Sequence, residues 1–370
     1  MERINILGGG ISGLSAAINL AKKGHNVEIF EKRSDCGKRF LGDLEGLENW
    51  SSKVDVLEEL DSMNIKANFD YNPFKNLSVS DGKDVIKISC KIPMFYLVKR
   101  GAVENSIDQS LKNQALDKGV IIHFNKKANK ENMDIISTGP AGQKYFGVVK
   151  GIRFESNSDD IAFLLLNKEA SANGAYSYLL ISNGYGCVCS VNMYATGLDA
   201  NRYYKKTYEM ITNLVDIDIR NVKNVGGLGC FQLKHKLVKD GKIYTGEAAG
   251  LQDLLWGFGM RYAIISGYLA SISISENKNY KRLIGKNLSK RLKTSVVNRY
   301  LTDKYYKYVQ KYIFDLVKSN PGNWMDMLYE RFNPTFYSRL LYPFARKQVS
   351  KRFNTFHENK SKNKLKQILL

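Results

Sequence analysis

The chain has 370 residues, 44% of them apolar, enough to bury a real core spread over two or three structural units. No run of 18 apolar residues occurs, so no transmembrane helix is expected. The net charge of +20 is lopsided: residues 281–370 carry 21 Lys+Arg against 5 Asp+Glu, while residues 1–280 are nearly balanced. Such asymmetry points to an anionic partner, a membrane surface or a nucleic acid. Met1-Glu2-Arg3 leads straight into a strand pattern, without the basic, apolar and cleavage regions of a signal peptide. Five scattered cysteines without a CxxC pair, and only four histidines, argue against a disulfide framework and against a metal site. A reduced, cytoplasmic compartment is expected.

Ile4-Asn5-Ile6-Leu7 reads as a short buried strand running into Gly8-Gly9-Gly10-Ile11-Ser12-Gly13, which fits GxGxxG. Leu14, Ala17, Ile18 and Ala21 then recur at helical spacing, and Gly24 is placed to end that helix. Val27–Phe30 reads as a second strand, closed by Glu31. Each part has a physical task. Gly8 permits the tight turn, Gly10 lets the backbone approach a pyrophosphate, and Gly13 allows close helix–strand packing. Ile11 and Ser12 open a helix whose N-terminus offers N–H groups and partial positive charge to phosphates. Glu31 can accept hydrogen bonds from a ribose diol, and an acid there favours FAD or NAD over NADP. Lys32, next to it, and Arg39, closing Asp35-Cys36-Gly37-Lys38-Arg39, join the cofactor-binding candidates. Cys36 either lies near the cofactor or is a small buried filler.

Three later segments separate FAD from NAD by likeness. Val98-Lys99-Arg100-Gly101-Ala102-Val103, a helix through Leu111 and Ala115, and the strand Gly119–Ile122 together resemble a segment of aromatic-hydroxylase-like flavoproteins. That resemblance implies Arg100 near the flavin or its phosphates. Asp134–Pro140 resembles the strand end that passes beside FAD in two-dinucleotide-fold flavoproteins, with Gly139 at the contact. Gly246-Glu247-Ala248-Ala249-Gly250, Trp256-Gly257-Phe258-Gly259-Met260-Arg261 and Ser266-Gly267-Tyr268-Leu269-Ala270 are similar to a stretch of the geranylgeranyl reductase and aromatic hydroxylase superfamily. The resemblance implies that Glu247 binds the ribityl chain, and that Gly257 and Gly259 bring main-chain N–H groups to the flavin ring. The following helix would point its N-terminus at that ring. Glu247 departs from the usual Asp, and the Pro common before the glycine pair is missing.

Residues 145–235 alternate strand patterns with turns. Ala162–Leu166, Tyr176–Ile181 and Gly186–Met193 read as strands, with a hairpin at Ser182–Gly186 and a helix at about 202–214. Gly226-Gly227-Leu228-Gly229 reads as a loop, because no second dinucleotide fingerprint surrounds it. The electron donor is therefore expected to dock transiently, as NAD(P)H or a reduced ferredoxin. Tyr176–Gly186 is similar to an element of geranylgeranyl reductases, without its Trp and Phe-Pro. Tyr176 and Tyr178 are candidate proton donors there. Cys187 and Cys189 alternate on one strand face and read as packing residues.

Residues 281–370 read as helices broken near Asn320-Pro321-Gly322, Asn333-Pro334 and Pro343, with aromatics interleaved among Lys and Arg. Such helices suit an anionic membrane interface, or else cap the FAD domain with a solvated basic face. No nucleic-acid motif appears in them. The last residues, Glu358 to Leu370, are expected to fray.

The expected fold is α/β: a Rossmann-type FAD-binding domain from residues 1–70, 96–145 and 236–280, an inserted antiparallel-sheet substrate domain from 71–95 and 146–235, and a helical C-terminal region. The expected activity is flavin-dependent reduction of C=C bonds in a prenyl or lipid-like, apolar substrate. An aromatic monooxygenase and a redox-neutral, lycopene-cyclase-like FAD protein remain alternatives. The three Trp (50, 256, 324) stand isolated in sequence, which argues against a halogenase.

Overall fold

A computed structural model describes residues 2–140 and 144–368, with side chains to Asn359. The chain opens with β1 (Arg3–Leu7), α1 (Ile11–Lys22) and β2 (Asn26–Phe30). β1 and β2 pair in parallel, with α1 crossing over between them. After β3 (Leu41–Glu48) and α2 (Val56–Ser62) come β4 (Tyr71–Phe74), β5 (Asn76–Ser80), β6 (Val85–Ser89) and β7 (Phe95–Gly101). α3 (Ile107–Leu116), β8 (Ile121–His123) and β9 (Ile135–Ile136) return the chain to the first sheet. There follow β10 (Gly147–Glu155), β11 (Ile161–Leu165), β12 (Ser177–Ser182), β13 (Tyr185–Met193), α4 (Gly197–Leu214) and β14 (Arg220–Gly229). β15 (Val238–Lys239), β16 (Lys242–Tyr244) and α5 (Met260–Ser275) lead to the C-terminal helices. These are α6 (Tyr280–Asn287), α7 (Ser289–Lys304), α8 (Val309–Ser319), α9 (Trp324–Phe332) and α10 (Phe336–Ile368).

Three sheets result. The first has the order β15-β16-β9-β1-β2-β8, parallel except at β15. The second has the order β14-β10-β13-β12-β11-β5-β6 and is antiparallel except between β11 and β5. A small antiparallel sheet, β3-β7-β4, joins them. In β1 and β2 the alternate residues Ile4, Ile6, Val27 and Ile29 are buried, and both residues of β9, Ile135 and Ile136, are buried as well. α1 and α5 cover one face of that sheet, and their apolar residues form one core with it.

α1 and α5 pack unusually close. A Cβ on Gly267 would lie 2.1 Å from the Ser12 carbonyl oxygen, so only glycine lets α5 approach the first turn of α1. The Ser15 hydroxyl donates to the Ile264 carbonyl across the same contact, at 2.8 Å. The hairpin read at Ser182–Gly186 is present. Asn183 and Gly184 both adopt positive φ, as a two-residue turn matched to strand twist requires.

Three expectations need correction. α4 begins at Gly197, not near 202, because Thr196 and Asp199 form a reciprocal capping box ahead of the apolar face. Gly226–Gly229 is not a loop but the end of β14, paired with β10. A Cβ on Gly226 would lie 2.7 Å from the Val149 carbonyl, so the glycine serves close strand approach. Pro343 does not break the last helix, which runs through it. Pro343 is exposed, so water can satisfy the carbonyl it orphans, while Ala345 and Val349 are buried on the other side. The breaks at Pro321 and Pro334 are present. The end expected to fray continues α10 to Ile368; Leu369 and Leu370 lie outside the described residues.

Gly267→Ala should cost about 1–3 kcal/mol in urea unfolding, because a backbone oxygen cannot step aside. Gly285→Ala, in α6 with nothing within 4 Å of the new methyl, should be neutral or stabilising by up to about 1 kcal/mol. Equal effects of the two changes would refute the close-contact account.

Candidate dinucleotide and substrate site

β1 ends at Leu7 and the chain turns at once. Gly8 has φ +106°, and a Cβ there would lie 2.5 Å from the Ser137 carbonyl oxygen beyond β9. A Cβ on Gly13 would lie 2.2 Å from the Gly8 carbonyl. Gly10 differs: a Cβ there meets nothing within 4 Å. Its backbone faces open space ahead of α1, and α1 has no side-chain cap. The helix N-terminus at Ile11, Ser12 and Gly13 thus presents main-chain N–H groups and the positive dipole end to that space.

Glu31 closes β2 at the same mouth. Its Oε2 accepts from the Gly9 N–H at 2.8 Å and its Oε1 from the Arg33 N–H at 2.9 Å. Lone pairs remain on both oxygens for a diol. Lys32 is exposed just beyond. Cys36 is buried behind the loop, where a Cβ on Gly9 would lie 2.8 Å from its Sγ. Burial pushes its thiol up, so it is packing rather than a thiolate.

Three distant segments meet a few residues on. Arg39 Nη1 pairs with Glu247 Oε2 at 2.7 Å, and both flank Gly139, whose φ is +65°. Gly246 is held against α1 and α5: its N–H donates to the Ser266 Oγ at 2.8 Å, and a Cβ on it would lie 2.8 Å from the Ser12 Oγ. Arg100 is not part of this group. Its Nε and Nη2 donate to Asp108, its Nη1 to Glu45, and its guanidinium stacks 4.2 Å from the Phe40 ring. It joins β7, α3 and β3 from a buried position.

The loop between Gly250 and Gly259 folds on itself. Asp253 N–H donates to the Phe258 carbonyl at 2.9 Å, Gly257 N–H to the Asp253 carbonyl at 3.2 Å, and Trp256 N–H to the Asp253 Oδ2 at 2.6 Å. Gly257 has φ +86°, and Gly259 starts α5 without a side-chain cap. Asp253 is buried, and its Oδ1 and the Gln252 Oε1 are buried without a hydrogen-bond partner among the described residues. Burial pushes the Asp253 carboxyl up to about 6, although main-chain N–H groups at 255–257 oppose the rise.

Aromatic rings pack beside this loop. Trp50 meets Phe258 edge-on at 4.7 Å and Trp256 at 6.1 Å, and Phe332 from α9 lies 5.3 Å from Trp256. The tryptophans isolated in sequence are therefore gathered in space, with Trp324 in the same cluster. The Tyr176 hydroxyl donates to the Trp256 carbonyl at 2.8 Å, tying the second sheet to the loop. The Tyr178 ring lies 6.1 Å from that of Tyr176 and packs with Cys187 and Cys189. Burial pushes both phenols up, which weakens them as acids.

Asp253 and Trp50 escaped the sequence reading. A hint existed for the former: a lone carboxylate inside Leu251-Gln252-Asp253-Leu254-Leu255-Trp256 signals burial.

A glycine cradle that excludes side chains, an open helix N-terminus, a pinned acid and orphaned polar atoms in the glycine loop fit a dinucleotide lying from Gly10 to Gly257. The comparisons bear first on the class of fold. Residues 6–41 match the NAD(P)-binding Rossmann-like domain model. Over nearly the whole chain, the fold is shared with three solved proteins. A geranylgeranyl bacteriochlorophyll reductase-like protein of Thermoplasma acidophilum superposes with TM-score 0.64 at 18% identity, over 95% of this chain and 99% of that one. A flavoprotein/dehydrogenase of Cytophaga hutchinsonii superposes with TM-score 0.60 at 14% identity, over 97% and 100%. A flavin-dependent brominase gives TM-score 0.59 at 15% identity, over 94% and 99%. No curated protein matches the chain.

Two measurements test this geometry. Gly10→Val should fold like the parent, since its side chain enters open space, yet copurify with at least about tenfold less dinucleotide. Undiminished dinucleotide would place the ligand elsewhere. Asp253 supplies the second. An aspartate titrates near 3.9 when unfolded, so the native state holds this proton to higher pH. Its contribution to stability should be full below about pH 4 and fade as pH rises through about 6, by roughly 3 kcal/mol. In Asp253→Asn that loss should vanish from urea unfolding measured across the range. An unchanged slope would mean the carboxyl is ionised throughout.

Proposed function

We propose that the chain is an FAD-dependent oxidoreductase that saturates C=C bonds of a prenyl or other lipid-like substrate. The aromatic wall of Trp50, Trp256, Phe258 and Phe332 carries this reading: an apolar chain gains by burial there, whereas a charged substrate would meet few partners. Gly8, Gly10 and the α1 N-terminus would hold the pyrophosphate, Glu31 the adenosine ribose, and Glu247, braced by Arg39, the ribityl chain. Gly257 and Gly259 would face the ring. When bound, a flavin supplies the hydride chemistry.

Saturating one C=C bond takes a hydride onto one carbon and a proton onto the other. Burial pushes the Asp253 carboxyl up to about 6, and its Oδ1 has no hydrogen-bond partner among the described residues. We assign the proton to it rather than to Tyr176 or Tyr178; Tyr176 fixes the loop that carries Asp253. Electrons would come from a transiently docked donor of the NAD(P)H or reduced-ferredoxin class.

The fold shared with a brominase, and the paired Trp50 and Trp256, favour a flavin-dependent aromatic monooxygenase as second reading. Anaerobically reduced protein should be reoxidised by a prenyl lipid with one C=C bond lost per flavin. Asp253→Asn should slow that step about 100-fold or more while the flavin stays bound. Oxygen-dependent NAD(P)H consumption on an aromatic, with no prenyl reoxidation, would establish the monooxygenase instead. Turnover without net electron transfer would leave a redox-neutral FAD protein.

A further inference from the structure

The C-terminal helices have two unlike faces. Inward, Phe314, Val317, Trp324, Leu328 and Phe332 complete the aromatic cluster around Trp50 and Trp256. Asn333 Nδ2 donates to the Ser51 carbonyl at 3.1 Å, fastening the α9–α10 joint to the Trp50 loop. The main-chain N–H groups of Thr335 and Ser338 then bond to each other's side-chain oxygens, and α10 starts in a new direction.

From that point the large apolar side chains of α10 turn outward. Phe336 is 69% exposed, Tyr337 80%, Leu340 66% and Phe344 50%. At about 100° per residue, 336, 340 and 344 form one stripe, while Ser338, Ala345 and Val349 are buried on the other side. A water-facing stripe of this kind inverts the usual pattern of a surface helix. Charge accompanies it. Between Phe336 and His357 the helix carries five cations and no acid. Arg352 is held by Asp303, but Arg339, Arg346, Lys347 and Lys351 are exposed.

We infer that the first half of α10 is a docking face for an anionic lipid bilayer. Phe336, Tyr337, Leu340 and Phe344 would enter the headgroup–acyl boundary, and the cations beside them would meet lipid phosphates. A nucleic acid would use the cations but leave the apolar stripe in water. The geometry links this face to the site: Phe332, which touches Trp256, is four residues before Phe336. A lipid-tailed molecule leaving the bilayer at the α9–α10 joint would arrive beside the aromatic wall. The inference extends the proposed reading of a lipid-like substrate.

The test uses the full-length flavin-loaded protein and sedimenting vesicles of phosphatidylcholine, alone or mixed with phosphatidylglycerol. Binding should appear on the mixed vesicles, weaken on phosphatidylcholine alone, and fall in about 1 M salt, where screening acts within roughly 3 Å. The triple change Phe336→Ser, Leu340→Ser, Phe344→Ser should weaken binding at least about tenfold with bound flavin and helicity unchanged. Lys347→Glu with Lys351→Glu should remove the preference for anionic vesicles but leave the fold intact. No binding to mixed vesicles at low salt, or undiminished binding by the triple variant, would overturn the inference. So would a dimer in light scattering that the triple variant abolishes, which would assign the stripe to a second copy. Tighter binding to DNA than to mixed vesicles would overturn it in favour of nucleic acid. Anaerobic reoxidation by a detergent-dispersed prenyl lipid, read on the same samples, keeps failure of the proposed chemistry separate from failure of the docking face.

Discussion

The approach of α5 to α1 across Gly267 is the constraint on which the site depends. A main-chain oxygen stands where a side chain would be, so the spacing of these helices is fixed by backbone rather than by adjustable side chains. That contact carries residues more than 230 positions apart in sequence. It sets Gly246 against Ser12, and with it the Glu247 carboxylate against Arg39 and Gly139. Had α5 stood a methyl group further off, Gly246 and the loop from Gly250 to Gly259 would have moved with it. The dinucleotide cradle of the first 31 residues is therefore only half a site; the other half is delivered by helix packing.

The two ends of the site differ in dielectric character, and this divides the work. Around Glu31, Arg39 and Glu247, charges are partly exposed, and the Arg39–Glu247 ion pair contributes little to folding. Asp253, by contrast, is buried beside the Trp256–Phe258 turn. Burial disfavours the charged carboxylate there and pushes the group up to about 6. Burial likewise raises the phenols of Tyr176 and Tyr178, but from a starting point already too high to give up a proton readily. The same burial thus raises the Asp253 carboxyl and leaves the Tyr176 hydroxyl as a hydrogen-bond donor to the Trp256 carbonyl.

Features written in local sequence were legible; those made by long-range packing were not. The strand, glycine turn, helix, strand and acid of residues 4–31 declare themselves, because each is a short-range requirement of backbone geometry. The Asn183-Gly184 turn is equally local. The start of α4 was misplaced because Gly197 and Leu198 look like a break, while the Thr196–Asp199 capping box overrides them. β14 hid behind its glycines, whose purpose is visible only once β10 lies beside them. Pro343 breaks a helix in isolation, but packing on one side and water on the other sustain α10. Arg100 was singled out by likeness, and its commitment to Asp108 and Glu45 needs the tertiary fold to be seen. The aromatic wall was least legible: Trp50, Trp256 and Phe332 come from three separate parts of the chain.

The C-terminal helices belong to the site rather than being an appendage to it. Without α8 and α9, Trp50, Trp256, Val79 and Ile88 would lose the side chains that complete their cluster, and the apolar wall would open to water. Burial of that apolar surface against α8 and α9 is what holds the cluster together. The region must therefore be apolar on its inner side whatever else it does. Its outer side carries no such obligation, and most charges of either sign would serve solubility. Its charge is instead mostly cationic, 21 Lys+Arg against 5 Asp+Glu over residues 281–370, and α10 turns large apolar residues outward where α9 ends. One face packs on the aromatic cluster, and the other leaves Phe336, Tyr337, Leu340 and Phe344 exposed.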